Sequence, residues 1–576
     1  MKKKKINFLL IIVCLMVFIG CIYLNVSTIF KAQERIIEEI NNTPIALEVK
    51  DETEEVMVDE TIITNETIKD TMEVETNSFN SLELSIIILS SLFIVISLLT
   101  LIVTKFGTVG FLTSLSTSKS IIYYVMFLII LSVSIPVATI ISSDQKILNG
   151  DETKKRDEKS VAIVEITKDK KTSSLKEESN VDDTSVIQVS NQANFTADKL
   201  ELYKNAGLSS DIDSSLYYGL NAALITKDGS SSNLTDSKIK TSSEYATAFY
   251  VTGMGSQANL TNTILETTKN NSSGLTASDI SEIIAENVII KTNGVSSPAI
   301  KTMNEDSTIT VMDSNLETNG TNSPLLYSSG KIEATNIKGT AINSYIAILE
   351  GRNSIFITES ELLTNAIGFK KNNDLSSGVF IYNKDSKNIS ANIGNAEFTI
   401  ESSNLSINKE SKNYKTAPMF MITNQTAVIN ITDTSLNFGS NILLNASGNK
   451  GYGDKNNNGA DVTLTTTDQY LKGEILVDEL SKVRLQLNTS TFKGHINEKN
   501  LSKEVDVTFD KNSRWILTGD SYVNTLTIQN GRINRLRTYI DSNGYDIYYN
   551  ANNNEWLNGK TIRLTGGGKL IPVFES

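Results

Sequence analysis

The chain has 576 residues, a formal net charge of −13, two cysteines and one histidine. The acidic balance argues against a nucleic-acid partner, because a phosphate backbone is bound by a surplus of Lys and Arg. Both cysteines, Cys14 and Cys21, lie in the first apolar segment, so the rest of the chain has no disulfide and no Cys-based metal site. A single histidine, His495, rules out multi-His metal centres. We expect it on the surface, because it lies in a polar segment.

Three apolar runs, at 8–24, 84–103 and 121–141, predict membrane-spanning helices. Lysines precede the first run, and Lys105 and Lys119 lie in the connection between the second and third runs. Basic residues next to membrane helices favour the cytoplasmic side, so we predict that the N-terminus and this connection are cytoplasmic. The acidic stretch between the first two runs, and everything after residue 141, are then extracellular. We therefore predict an integral protein of the cell membrane with an N-terminal anchor over 1–25, an acidic extracellular segment over 26–83 and a transmembrane hairpin over 84–143.

The first apolar run has two other interpretations, a cleaved signal peptide and a lipidated Cys21. Both leave the C-terminal part outside the cell. Residues 144–195 are rich in Lys, Glu, Asp and Ser and predict a charged, exposed linker.

A short phrase recurs beyond the linker. Two apolar residues flank any residue, four polar or small residues follow, and a third apolar residue closes the phrase. The alternation predicts a short strand, and the polar residues predict a corner before the next strand. The copies are Ile309-x-Val311 with Leu316, Ile355-x-Ile357 with Leu362, Phe398-x-Ile400 with Leu405, Ile429-x-Ile431 with Leu436, and Leu485-x-Leu487 with Phe492.

Equivalent positions at Ile239, Leu265, Ile290 and Leu316 are 25–26 residues apart. A propeller blade needs about 40–50 residues, so this period predicts a stacked solenoid whose coils bury their apolar faces against each other. We predict a parallel β-helix of about eleven coils. The predicted parts are a β-helix over 196–512, a candidate N-terminal cap at 197–208, a polar loop inserted at 448–459 and a C-terminal β cap over 513–576.

Three phrases carry a family resemblance. They begin at Tyr218 (Tyr-Gly-Leu-Asn-Ala-Ala-Leu), Ser323 (Ser-Pro-Leu-Leu-Tyr) and Ser513 (Ser-Arg-Trp-Ile-Leu-Thr-Gly-Asp). The chain resembles bacterial surface right-handed β-helix proteins over about 216–574, and the last phrase with 526–531 resembles the passenger end of pertactin-like autotransporter adhesins. The resemblance implies a pectin-lyase-like right-handed parallel β-helix and an adhesin-like role.

The predicted fold class is thus all-β, with an extracellular right-handed parallel β-helix preceded by three transmembrane α-helices. Unlike autotransporters, the chain carries predicted membrane helices. Its Lys-, Asn- and Ile-rich composition suits a Gram-positive surface.

One segment has half of a calcium-loop pattern. Oxygen-bearing side chains occupy positions 1, 3 and 5 from Asp454, and Gly459 gives the turn at position 6. Position 12 is Thr465 rather than Glu, so a plain polar turn is the competing interpretation. The candidate Ca²⁺ ligands are Asp454, Asn456, Asn458 and Asp461. We expect no other cofactor.

The aromatic residues near the C-terminus have two interpretations, a packed cap and a platform on which sugars stack. The candidate ligand-binding residues are Trp515, Trp556, Tyr548 and Tyr549.

The β-helix fold hosts lyases, hydrolases and adhesins alike. Asp313 and Glu359 occupy equivalent corners, with Arg352 and Arg484 as scarce bases, but they do not assemble a convincing active site. We therefore expect a non-enzymatic, membrane-anchored surface protein that binds polysaccharide or a host or neighbouring cell surface. The alternative is an extracellular polysaccharide lyase or glycoside hydrolase.

Overall fold

A computed structural model of the protein describes residues 161–574, apart from 305, 369–374, 386–393 and 530–534. The predicted anchor, acidic segment and transmembrane hairpin all lie outside the described residues. Within the described ranges, no helix combines the length and the apolar character that crossing a membrane requires.

Short strands make up most of this region. In chain order they begin with β1 (Val161–Ile166), β2 (Lys170–Ser173), β3 (Lys176–Ser179), β4 (Thr184–Val189), β5 (Asn194–Asp198), β6 (Glu201–Lys204), β7 (Leu224–Thr226), β8 (Ser231–Thr235), β9 (Lys238–Thr241), β10 (Phe249–Val251), β11 (Gln257–Thr261), β12 (Ile264–Thr267), β13 (Leu275–Ala277), β14 (Glu282–Glu286), β15 (Ile289–Thr292), β16 (Ile300–Thr302), β17 (Thr308–Met312), β18 (Asn315–Thr318), β19 (Leu326–Ser328), β20 (Lys331–Thr335), β21 (Lys338–Ala341) and β22 (Ala347–Glu350). They continue with β23 (Ser354–Thr358), β24 (Glu361–Thr364), β25 (Val379–Tyr382), β26 (Ala396–Glu401), β27 (Asn404–Ile407), β28 (Phe420–Thr423), β29 (Thr426–Thr432), β30 (Ser435–Asn437), β31 (Ile442–Ala446), β32 (Asp461–Thr467), β33 (Tyr470–Lys472), β34 (Glu474–Val477), β35 (Lys482–Asn488), β36 (Thr491–Lys493), β37 (Glu504–Phe509), β38 (Arg514–Ile516), β39 (Ser521–Val523), β40 (Thr525–Ile528), β41 (Ile540–Asp541), β42 (Ile547–Asn550), β43 (Ile562–Arg563) and β44 (Lys569–Val573).

Every third strand along most of the chain joins the same sheet, so each coil contributes one strand to each of three faces. The first sheet has 12 strands, from β1 to β34; the second has 14, from β2 to β40; the third has 10, from β3 to β30. In the last coils, a fourth sheet (β33, β36, β38, β41) replaces the third. A fifth sheet (β39, β42, β44, β43) replaces the first, because β39 precedes a strand of the second sheet just as strands of the first sheet do in earlier coils. All pairings are parallel except β43 with β44. The predicted parallel β-helix is confirmed.

The recurring phrase forms columns in the core. In the second sheet, Ile309 is in register with Ile332, then Ile355, then Phe398 and then Ile429. All five side chains are buried. Strands alternate inward and outward residues, so one apolar residue in two is enough to fill the core. The predicted strand register is therefore correct for these copies.

The corner between the second and third sheets is tighter than predicted. Between β17 and β18 it contains only Asp313 and Ser314, because the flanking Met312 and Asn315 belong to the strands. Asp313 has φ 51, and the equivalent Glu359 also has φ 51. This left-handed conformation is one that Asn and Asp tolerate better than most side chains, which explains the polar corner composition.

Serines connect successive corners. The hydroxyl of Ser403 accepts a hydrogen bond from the backbone N–H of Ser360 (3.0 Å), and Ser360 accepts one from Ile337 (3.1 Å). Ser513 does the same for Ser490 (3.0 Å). Each bond satisfies a buried donor that the strand ladder leaves unpaired at the bend.

The linker prediction over 144–195 is wrong from Val161 onward. Strand β1 pairs with β4, and β4 pairs with β7 of the predicted helix. Val186, Ile187 and Val189 are fully buried. The charged residues of this segment occupy mostly exposed positions of short strands, so its average composition concealed strands that pair with the rest of the stack.

Both predicted cap boundaries also change. Residues 197–208 contain the end of β5 and all of β6, which are ordinary coil strands. The stack continues through β37 and β40 into the predicted C-terminal cap, and the antiparallel pair β43–β44 closes the described end. The second sheet thus has 14 strands rather than about eleven, because coils are added at both ends.

Helices are few. Helix α1 (Ile212–Tyr218) begins at Asp211, whose carboxylate accepts a hydrogen bond from the Ser214 N–H (2.9 Å), and ends at Gly219, which has φ 72. A second helix, α2 (Leu536–Tyr539), and a 3-10 turn (Glu555–Leu557) lie near the C-terminus.

Candidate functional site

The outward side of the first sheet is covered at two places. Near its start, Tyr250 lies under α1 and its hydroxyl donates to the Leu216 carbonyl (2.9 Å). Farther along, Phe380 and Tyr382 are buried, with Tyr452 edge-on at 5.5 and 4.9 Å between ring centroids. Tyr452 belongs to the loop at 448–459, so the predicted insert is confirmed and it packs on this face.

Between the two covers, a lysine and a tyrosine lie side by side. Lys301 on β16 is in register with Tyr327 on β19, and both point outward and are partly buried. The Lys301 Nζ lies 5.7 Å from the centre of the Tyr327 ring. Within the described part of the chain, this ammonium has no hydrogen-bond or ion-pair partner.

A carboxylate and a second tyrosine complete this cluster. The Tyr327 hydroxyl donates to Glu350 and lies 3.3 Å from the Tyr382 hydroxyl. Burial lowers the pKa of Lys301 to about 8, which the negative charge of Glu350 partly opposes. Burial, with the charge of Glu350, raises the pKa of Tyr327. A lysine with this pKa, beside a tyrosine and a carboxylate, is suited to moving a proton.

The third face carries a different feature, a break in its sheet. Strand β30 ends the third sheet, and β33 of the next coil pairs with β36 instead. The backbone bond from Asp433 N to Thr467 O is 3.4 Å, whereas the equivalent bond at Ser402 is 3.1 Å. Gln469 spans the wider step, because its side-chain amide both accepts from Thr434 N (2.8 Å) and donates to Thr434 O (2.5 Å).

The break opens a groove of about 590 Å³. Tyr470 is 53 % exposed beside it, and Asp433, Asp468 and Lys472 are exposed around it. Most other contributors bear hydroxyl or amide groups. The lining residues are Ser402, Ser403, Asp433, Thr434, Ser435, Leu436, Asn437, Asp468, Gln469, Tyr470 and Lys472.

Two of the predicted calcium ligands, Asn458 and Asp461, make contacts within the protein instead. Asn458 is buried, and its Nδ2 donates to the carbonyls of Asn449 (2.5 Å) and Tyr452 (2.9 Å). Asp461 lies on β32 and pairs with Arg484 at 2.5 Å. This positive partner reduces the attraction of the Asp461 carboxylate for a calcium ion. The geometry therefore favours the polar turn, in which Asn458 holds the loop that carries Tyr452, and Asp454 and Asn456 lie on the same loop.

The four residues of the predicted sugar platform differ in burial. Trp515 and Tyr549 are fully buried and present no ring face to a ligand. Trp556 is partly buried, and its indole N–H donates to the Leu526 carbonyl (3.0 Å). Tyr548 is partly exposed and stacks on Tyr522, with ring centroids 4.5 Å apart. The packed-cap interpretation is correct for Trp515 and Tyr549, and Tyr548 still has an accessible ring.

Two residues of the lysine cluster could have been found from the sequence. Lys301 and Tyr327 each follow an aligned proline, Pro298 and Pro324, by three residues. The intervening Ile300 and Leu326 point into the core, so alternation places their successors outside. The groove had no such signal, since Gln469 is a single polar residue at a corner position where its equivalents, Ser and Thr, are also polar.

No family model matches the chain, and no curated protein matches it significantly.

Proposed function

We propose that the protein is a membrane-anchored, adhesin-like cell-surface β-helix that binds glycans without cleaving them. In this proposal the three apolar runs hold the chain in the membrane of a Gram-positive cell. The stack, a right-handed helix of the pectin-lyase-like kind, then stands outside. The observation that carries the proposal is the groove at the break of the third sheet.

The lining of this groove suits sugars. A pyranose ring offers an apolar face and a rim of hydroxyl groups, and recognition combines an exposed aromatic ring with convergent polar groups. Tyr470 supplies the ring, and serine, threonine, asparagine and aspartate side chains supply the polar groups. Two aspartates against one lysine favour neutral or amino sugars over acidic ones.

Replacing Tyr470 by alanine is expected to weaken glycan binding about tenfold, which corresponds to about 1.4 kcal/mol. The measurement uses the full chain in detergent on an array of neutral, amino-sugar and acidic polysaccharides. Tyr545→Ala is the matched control, because Tyr545 is also exposed (40 %) but lies outside the groove. Equal binding by the two variants, or no retention of any glycan by the unmodified chain, would contradict the proposal.

The second candidate is a polysaccharide lyase, which the Lys301 cluster favours. In its neutral form the amine of Lys301 would remove the proton from the carbon next to a uronate carboxylate. The electron pair forms a carbon–carbon double bond as the glycosidic carbon–oxygen bond breaks, and the leaving oxygen takes a proton from water. Among the described residues, the cluster has only one carboxylate, Glu350, whereas a glycoside hydrolase needs two.

If the protein is a lyase, its rate is expected to rise with pH up to about 8 and then level off. The reason is that the fraction of neutral Lys301 increases through its lowered pKa of about 8. The unsaturated product can be followed by its ultraviolet absorbance on uronate polymers. Lys301→Met should abolish the signal, while Lys338→Met, an exposed lysine on the third sheet, should not. A product signal that survives Lys301→Met would exclude this role.

A further inference from the structure

The only histidine of the chain is buried, contrary to the surface position that we predicted. His495 is 8 % exposed and precedes Ile496, which forms an isolated parallel bridge with Ile475. Both isoleucines are fully buried. His495 and Glu474, one residue before each isoleucine, therefore project outward next to each other, at the end of the first sheet.

The imidazole ring is fixed in place. Its Nδ1 lies 3.0 Å from the Thr518 hydroxyl. A Cβ atom on Gly519 would lie 2.9 Å from the ring Cγ, so only glycine lets the chain pass this close. The glycine and the threonine together hold the ring so that its other nitrogen, Nε2, points away from the core.

Two carboxylates face that nitrogen. Nε2 lies 3.4 Å from Glu474 Oε1 and 3.7 Å from Glu498 Oε2, and it makes no hydrogen bond within the described ranges. Glu498 is held by an ordered turn, in which Asn497 Oδ1 accepts from Leu501 N (2.9 Å) and Ser502 N (3.1 Å). All three potential ligand atoms lie within 4.8 Å of one another.

These separations fit a metal ion. Zinc binds imidazole nitrogen and carboxylate oxygen at about 2.0–2.2 Å, and tetrahedral angles then place ligand atoms roughly 3.4 Å apart. The two distances from Nε2 are close to that value. When Nδ1 carries the proton and donates to the Thr518 hydroxyl, the lone pair of Nε2 is available to a metal ion. Proteins commonly orient a metal-binding imidazole through a hydrogen bond at its other ring nitrogen.

We propose that Glu474, His495 and Glu498 bind a divalent transition-metal ion, with zinc as the best match. An imidazole ligand favours zinc, copper, iron or nickel over calcium, magnesium and manganese, which prefer oxygen. Three protein ligands leave a coordination position open to water or to a ligand atom. The ion would also join β34 to the following coil, where the backbone pairing is reduced to one bridge.

The test is zinc titration by calorimetry on the full chain in detergent, after treatment with EDTA. One zinc ion per chain is expected to bind. His495→Ala and Glu474→Gln should each weaken binding by about tenfold or more. Glu479→Gln is the matched control, because it removes an exposed acid from the same coil and should leave binding unchanged.

Cobalt provides a second readout, because its visible spectrum reports coordination by nitrogen and oxygen directly. The unmodified chain should develop these bands and His495→Ala should not, while both keep the same circular dichroism in EDTA. Absence of stoichiometric zinc binding, or equal binding by His495→Ala and the unmodified chain, would overturn the proposal and leave a histidine that pairs with two glutamates.

Discussion

A chain that begins at residue 196 is expected to lose the cooperative fold that a chain beginning at residue 144 retains. The shorter chain lacks β1 to β4, which contribute the buried Val186, Ile187 and Val189. Each such side chain contributes about 1.5–3 kcal/mol when buried. Removing β4 also leaves the edge of β7 open to pairing with other molecules.

A buried lysine adds to this effect. Lys204 is fully buried, and its Nζ donates to the carbonyls of Val181 (2.5 Å) and Thr184 (2.8 Å). Both acceptors are absent from the shorter chain. Burial already lowers the pKa of Lys204 to about 8, and an ammonium without acceptors is costlier still to bury.

Thermal unfolding followed by circular dichroism, together with size-exclusion chromatography, separates the two interpretations of residues 161–195. We expect the 144–576 chain to unfold in one sharp transition and the 196–576 chain to aggregate or to melt at a clearly lower temperature. Equal melting temperatures and equal monodispersity would restore the interpretation of this segment as a linker.

The core of the fold could be predicted from the sequence because inward positions repeat. Ile309, Ile355, Phe398 and Ile429 are all apolar, and each recurs at the same place in its coil. Stacking in register makes this column continuous. Aligning the copies of the phrase therefore predicts both where each strand lies and which of its side chains point into the core. The same alignment explains why the inserted loop at 448–459 was identified.

The first coils escaped prediction for a physical reason. Outward positions of a solenoid are free to be charged, and in β2 and β3 they are mostly lysine and glutamate. Average composition therefore resembles that of a disordered linker. The residues that attach this segment to the core are Val164 and Ile166 of β1 and Val186, Ile187 and Val189 of β4, too few to outweigh the charged composition around them.

The groove and the histidine site escaped prediction because they depend on departures from the repeat. Gln469 occupies a corner where Ser or Thr is usual, and its longer side chain bridges a wider step. His495 follows a short strand of the fourth sheet and precedes a coil with only one bridge on the first face. Both features are single residues, so no periodic pattern marks them.

These departures have a common consequence. Where the sheets are continuous, outward residues form regular ladders. Where a sheet ends, side chains from neighbouring coils converge without strand pairing, as at the groove beside Tyr470 and at His495. Binding surfaces on this solenoid are therefore expected at breaks in its sheets, since the breaks provide concavity that a regular face lacks.

Trp515→Ala is expected to destabilise the protein by about 3–5 kcal/mol. The indole is fully buried, packs against Phe492 with ring centroids 6.0 Å apart, and donates its N–H to the Gly494 carbonyl (3.0 Å). The substitution leaves a large cavity and removes the hydrogen-bond partner of a buried acceptor. Denaturant unfolding of the full chain measures the loss.

Tyr548→Ala is the matched control, because it removes an aromatic ring near the same end that is partly exposed and stacks on Tyr522. Its cost should be about 0.5–1.5 kcal/mol, the range for an aromatic pair. If Trp515 belonged to a sugar platform, Trp515→Ala would reduce glycan retention with little change in stability. The burial of this ring predicts the reverse, so glycan binding measured below the unfolding transition should be the same for Trp515→Ala and the unmodified chain.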